Sequence, residues 1–107
     1  MISTRTPWFM LHAPEIGRAF EDFAQICSND GVLDRKTKAI VMLASAALLQ
    51  RDDQIRDRLR RAFAAGATKA EITETLLITA LQTAEAQLDC KSDLYRQFLG
   101  NAGGHLS

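Results

Sequence analysis

The stretch Arg51-Asp52-Asp53-Gln54-Ile55-Arg56-Asp57-Arg58-Leu59-Arg60-Arg61 sets five arginines among three aspartates. A guanidinium presents a planar fork of donors that matches carboxylate or phosphate, so arginines meeting in a cleft would hold a small anion. The same segment also reads as a solvated helix face. Asp52–Arg56 and Asp57–Arg61 stand at i,i+4, and Asp53–Arg56 and Asp57–Arg60 at i,i+3, the spacings at which opposite charges pair along a helix. The solvated face is the commoner outcome for such a pattern. Nucleic acid is a poor partner for it, because the aspartates dilute the positive charge and no aromatics interleave to stack on bases.

Thiols are the other chemistry to weigh. Cys27 falls on the apolar face of a helical pattern, where a free cysteine usually serves as a small buried hydrophobe. Cys90, between Asp89 and Lys91, reads as exposed and is the candidate redox thiol. Neither has a histidine beside it in sequence: the two histidines are His12 and His105. No Cys/His/Asp spacing matches a metal site. No glycine-rich phosphate loop is present, and no cofactor is implied.

The elements that would position these groups are helices. The chain has 107 residues, a length that fits one domain (1–107) with one modest core. Its formal net charge is zero, which gives no long-range pull toward nucleic acid or anionic membrane. Trp8-Phe9-Met10-Leu11 is too short for a signal-peptide core, and His12-Ala13-Pro14-Glu15 breaks it. The apolar run Ala39–Leu49 is well short of the roughly 20 residues of a membrane span. Two cysteines are too few for a disulfide scaffold. A cytoplasmic location is expected.

Residues 1–12 read as an arm with an apolar cluster. Pro14 suits a first helical turn, and Ile16, Phe20, Phe23 and Cys27 follow at spacings of three and four, to an end near Ser28-Asn29-Asp30-Gly31. Asp34 is the expected N-cap of a second helix, with Lys38 placed to pair with it. From Ala39 that helix is apolar nearly all round and is expected to be buried. A third helix begins near Asp52 or Asp53, buries Ile55, Leu59, Ala62 and Phe63, and ends at a left-handed Gly66. Thr68-Lys69-Ala70-Glu71 is a capping box that opens a fourth helix through Ala84, with Thr75, Thr79 and Thr83 as a contact stripe. A last helix is expected from Glu85 to Leu99, stopped by Gly100, before a flexible tail over 101–107.

Leu33-Asp34-Arg35-Lys36-Thr37-Lys38, the long apolar helix after it, and then Gly66-Ala67-Thr68 with Ala70-Glu71-Ile72-Thr73-Glu74 form an ordered set. On these segments the chain resembles the carboxymuconolactone decarboxylase / alkylhydroperoxidase D superfamily over about residues 14 to 85. The resemblance implies an all-α, compact bundle of about five helices, assembled as trimers or hexamers. In the peroxidase-type members it also implies a glutamate, a Cys-x-x-Cys pair and a histidine, in which one thiolate attacks and the other resolves. Aligned on Gly66, those positions here hold Ala39, Arg51 and Gln54, and Arg58. The lactone-decarboxylase branch carries acidic residues and a histidine in this region, where this chain has Gln54, Arg56 and Arg58. No cysteine lies between Cys27 and Cys90 and no histidine between His12 and His105, so a displaced gap does not restore either pattern.

A diverged, non-redox binding or assembly role is therefore expected, in a homo-oligomer. Any small anionic ligand is expected near Arg51, Gln54 and Arg58. The competing reading is an enzyme, acting on a small carboxylate through the arginines or on a redox substrate through Cys90. It requires Arg51, Arg56 or Arg58 to meet in a cleft.

Overall fold

A computed structural model of the chain describes residues 8–100. Among these residues there are six helices and no strand: α1 (Phe9–His12), α2 (Pro14–Ser28), α3 (Arg35–Leu49), α4 (Asp52–Ala64), α5 (Lys69–Cys90) and α6 (Ser92–Leu99). The all-α expectation holds. The tail expected over 101–107 and most of the arm over 1–12 lie outside the described residues.

The helix ends follow from local chemistry. Asp34 sits in an extended conformation, and its Oδ1 accepts from the Thr37 amide at 2.7 Å, which caps α3 as expected. That amide holds the Asp34 carboxyl below its usual value. The expected Asp34–Lys38 pair does not form. Lys38 Nζ instead donates to the Asn29 carbonyl at 2.6 Å and ties the α2–α3 loop down. At the far end of α3, Gln50 turns left-handed (φ 57°), and its N–H reaches the Ala46 and Ala47 carbonyls. This sharp turn lets α4 begin with only two residues, Gln50 and Arg51, between it and α3.

α4 closes on Gly66 (φ 96°), whose N–H bonds Phe63 O while the Ala67 N–H bonds Ala62 O. That pair of bonds is the Schellman arrangement, and it requires a residue free to adopt positive φ. The capping box is complete: Glu71 N–H donates to Thr68 Oγ1 at 3.1 Å, and Thr68 N–H donates to Glu71 Oε1 at 2.8 Å. Glu71 Oε2 also meets Lys36 Nζ at 2.7 Å, which pins the start of α5 to the start of α3. The Lys36 contact, and then the Thr68 amide, hold the Glu71 carboxyl below its usual value.

Thr68→Ala removes the hydroxyl acceptor and should cost about 0.5–2 kcal/mol of stability by thermal or urea unfolding. The acid dependence has a definite sign. Because the Glu71 and Asp34 pKa values are depressed on folding, their contribution is present above the ordinary carboxylate range and is lost as pH falls through the folded values. Glu71→Gln, which removes the titrating carboxyl, should therefore flatten the acid limb of the stability curve, whereas Thr68→Ala keeps the Lys36 contact and the residue-68 amide and should leave its shape largely intact.

α3, α4 and the first turns of α5 meet around Leu43, Ala62, Ala67 and Ile72, with Ala39, Ile40, Leu59 and Leu76 packed against them. This is the body of the bundle. α1 lies on α2, where the Phe9 and Phe20 rings meet edge-to-face with centroids 5.4 Å apart. Gly17 permits that approach, since a Cβ there would lie 3.0 Å from the Met10 Cα.

Several expectations are corrected. α3 buries only Leu43 and Ala46, and Val41, Leu48 and Leu49 are exposed, so its apolar circumference exceeds what one protomer covers. Phe63 is likewise exposed on α4. Cys27 is exposed rather than buried, although α1 packs against Phe20 on the same apolar face of α2. The helix expected to end near Ala84 continues to Cys90, and the break falls at Lys91. Helix-forming Glu85, Ala86, Gln87 and Leu88 offer no reason to stop. The threonine hydroxyls of Thr75, Thr79 and Thr83 donate to the carbonyls four residues back at 2.7, 2.9 and 2.9 Å, which is compatible with the stripe also serving as a contact.

Candidate functional site

A cleft of about 320 Å³ opens between α3 and α4 beneath the end of α2. From α3 it takes Arg35, Lys38, Ala39 and Met42, which share one helix face at spacings of three and four. From α4 and its cap it takes Arg58, Arg61, Ala64 and Ala65, and Ser28 closes the top. The tight Gln50–Arg51 turn sends α4 back along α3. Arg35 therefore lies near Ala64 and Ala65, and Met42 near Arg58. Each helix contributes seven positions of length, which at 1.5 Å per residue makes the cleft about 10 Å long.

Four cations and no carboxylate line this cleft. Two are already committed. Arg61 Nε donates to Asp57 Oδ2 at 2.9 Å, with Asp57 buried to 9% exposure, and Lys38 donates to the Asn29 carbonyl. The Arg35 and Arg58 side chains make no hydrogen bond or salt bridge to any described residue. Arg58 is part-buried, and burial, followed by repulsion from Arg61, pushes its guanidinium down from its ordinary value while Asp57 partly offsets this. Arginine nonetheless stays charged at any working pH. A part-buried guanidinium with its donors uncommitted, facing a cleft of like charge, is arranged to receive an anion.

The expected site residues separate here. Arg58 lines the cleft; Arg51 and Gln54 do not. Arg51 occupies the N-cap position of α4, exposed, with Nη2 3.4 Å from Asp53 Oδ2. Gln54 is exposed in the first turn of α4. Arg56 is exposed as well, so of Arg51, Arg56 and Arg58 only the last reaches the cleft. Of the i,i+4 pairs expected on a solvated face, Asp57–Arg61 forms, but with Asp57 buried, and Asp52–Arg56 does not form. Cys90 is exposed, its Sγ 3.4 Å from the Gln87 carbonyl, and both cysteines are free. Among the described residues no cluster of three or more His, Cys, Asp or Glu side chains is placed to hold a metal, and no helix is long and apolar enough to cross a membrane.

Arg35, Lys38 and Arg61 were not expected to line a site; Lys38 and Arg61 were read only as partners in helix charge pairs. A signal was there: Arg35, Lys38, Ala39 and Met42 repeat the helical face, and Arg58 and Arg61 fall three apart on the next helix. Over residues 14–88 the chain matches the carboxymuconolactone decarboxylase family. The chain belongs to that family. Neither the curated proteins nor the solved structures compared with it gave a match. Ala39 and Arg58, expected from the resemblance to stand in place of a glutamate and a histidine, both line this one cleft, whereas Arg51 and Gln54, expected in place of the cysteine pair, lie outside it.

Proposed function

We propose that this member of the carboxymuconolactone decarboxylase family binds a small anion in the α3–α4 cleft and performs no dithiol redox chemistry. The observation that carries the reading is the Arg58 guanidinium, part-buried in a cleft shared with Arg35, Lys38 and Arg61 and without a bonded partner among the described residues. The relatives' redox chemistry needs two thiols within disulfide reach, Cα atoms no more than about 7 Å apart, which a Cys-x-x-Cys turn provides by construction. Here neither Cys27 nor Cys90 lines the cleft, and arginine at the histidine position cannot accept a proton.

The test is titration of the full chain with phosphate, citrate and benzoate at low ionic strength, read by calorimetry and thermal shift. At least one should bind and raise the melting temperature, since a ligand selective for the folded state stabilises it by mass action. Added salt should weaken the binding through screening. No heat and no shift with any of the three would remove the proposal. A second assay addresses the thiols. Peroxide turnover with a dithiol donor should be no faster for the native chain than for Cys27→Ser/Cys90→Ser, and turnover lost in that double variant would restore a redox role.

A further inference from the structure

We propose that the anion bound in the α3–α4 cleft is a phosphate monoester, its phosphate held between Arg58 and Arg61 and its organic part laid along Ala39, Met42, Ala64 and Ala65. The proposal rests on the anion reading above and names the class of ligand. Charge separates the candidates. Four cations line the cleft, and Asp57 behind Arg61 offsets one, so three positive charges face the ligand. A carboxylate compensates one of them. A phosphate monoester, at about −1.5 to −2 near neutral pH, compensates up to two.

Donor geometry points the same way. Arg58 and Arg61 stand three apart on α4, which puts them on one helix face with Cβ atoms about 5–6 Å apart. Burial, and then repulsion from Arg61, lowers the Arg58 pKa, so the two guanidiniums crowd one another. Arg61 gives Asp57 its Nε alone, at 2.9 Å, and its terminal nitrogens bond no described residue. Asp57, buried behind it, is a positioning residue that fixes the direction of the Arg61 fork. Two neighbouring forks therefore line the same cleft. One fork in the bidentate arrangement takes up both oxygens of a carboxylate, whereas the three terminal oxygens of a phosphate can bridge two forks. The cleft also holds more than an inorganic ion. Its volume of about 320 Å³ falls within the range of small-molecule sites, roughly 300–1,000 Å³. Ala39, Met42, Ala64 and Ala65 give it an apolar strip from which an organic group would displace water.

The experiment is calorimetry on the full chain with phenyl phosphate, phenyl sulfate, benzoate and inorganic phosphate at low ionic strength. At about pH 7.5 phenyl phosphate should bind about tenfold or more tightly than each of the other three. Phenyl sulfate keeps the tetrahedral shape with less charge, and inorganic phosphate keeps the charge without the ring. On lowering the pH to about 5, phenyl phosphate should lose up to about tenfold in affinity as its second proton returns near pH 6, while phenyl sulfate changes little. The charged groups facing the ligand are Arg35 and Lys38 from α3 and Arg58 and Arg61 from α4, with Asp57 behind Arg61; α2 contributes only Ser28. Arginine and lysine hold their charge across that range, so the proton that moves is the ligand's. Arg61→Ala should erase most of the preference for phenyl phosphate over benzoate. Any control ligand that binds as tightly as phenyl phosphate overturns this inference and leaves the anion site standing. So does a phenyl phosphate affinity that does not fall with pH, or a preference that survives Arg61→Ala. No binding by any of these anions, or by citrate, removes the anion site and this inference with it. If Arg61→Ala does not fold, the ligand comparison and the pH profile of the native chain still decide.

Discussion

Leu43→Ala should destabilise this chain by about 2–5 kcal/mol and lower its melting temperature by about 10 °C or more. Leu43 is 0% exposed, and no other fully buried side chain is as large. It lies where α3, α4 and α5 converge, against Ala62, Ala67 and Ile72. Two of those neighbours are alanines, already at minimum size, so the space left by the isobutyl group has few long side chains able to fill it. The cost of a cavity rises as the surroundings lose the ability to collapse, which places Leu43 toward the upper part of the range. Against the 5–15 kcal/mol typical of a domain, that is a large fraction of the whole. Circular dichroism melts of the two proteins measure it. A loss below about 1 kcal/mol would show that the three helices do not meet as described.

Val41→Ala supplies the contrast. Val41 lies two positions away on α3 but is 51% exposed in the protomer. On the protomer alone it should cost little; in an assembly that covers this side of α3 it should cost more and depend on protein concentration.

The elements governed by local chemistry were legible in the sequence. Asp34, Thr68, Glu71 and Gly66 act through hydrogen bonds and backbone freedom within five residues, and each stands where its type and spacing put it. What failed was whatever depends on the third dimension. The apolar pattern of α3 shows that its side chains avoid water, but not whether the cover comes from the same chain or another. Cys27 misled for the same reason: its face is apolar, yet the thiol itself is exposed. The α5–α6 boundary was missed because Glu85 to Cys90 contains no glycine or proline that would mark an end.

The site was half legible. Aligning the chain on Gly66 drew attention to Arg58, which does line the cleft. It also drew in Arg51 and Gln54, about two turns and one turn earlier, which do not reach the cleft. Arg35 and Lys38 read as surface charge beside a helix start. Only the back-turn at Gln50, a left-handed residue that is not glycine, brings them opposite Arg58 and Arg61. A glutamine in that conformation gives no sequence signal.

The cleft leads to the second large effect, on ligand affinity. For whichever anion binds in the titration, Arg58→Ala should weaken affinity about 10- to 100-fold at low salt, the loss expected for a charge-assisted hydrogen bond of roughly 1.5–3 kcal/mol. Arg58→Lys should fall between, because it keeps the charge but not the planar fork. Arg51→Ala and Gln54→Ala, which lie outside the cleft, should leave affinity unchanged. If they weaken binding and Arg58→Ala does not, the ligand sits at the start of α4 and the cleft reading is wrong. In anion-free buffer the signs should reverse. Arg58 is part-buried, faces Arg61, and makes no bond to a described residue, so its removal relieves repulsion and desolvation together. Arg58→Ala should therefore melt at or above the native temperature without ligand, and gain less than the native protein when ligand is added. That opposition, stability without ligand against stabilisation by it, marks a residue kept for binding rather than for the fold. An Arg58→Ala protein that melts lower in both buffers would place the guanidinium among the structural contacts instead.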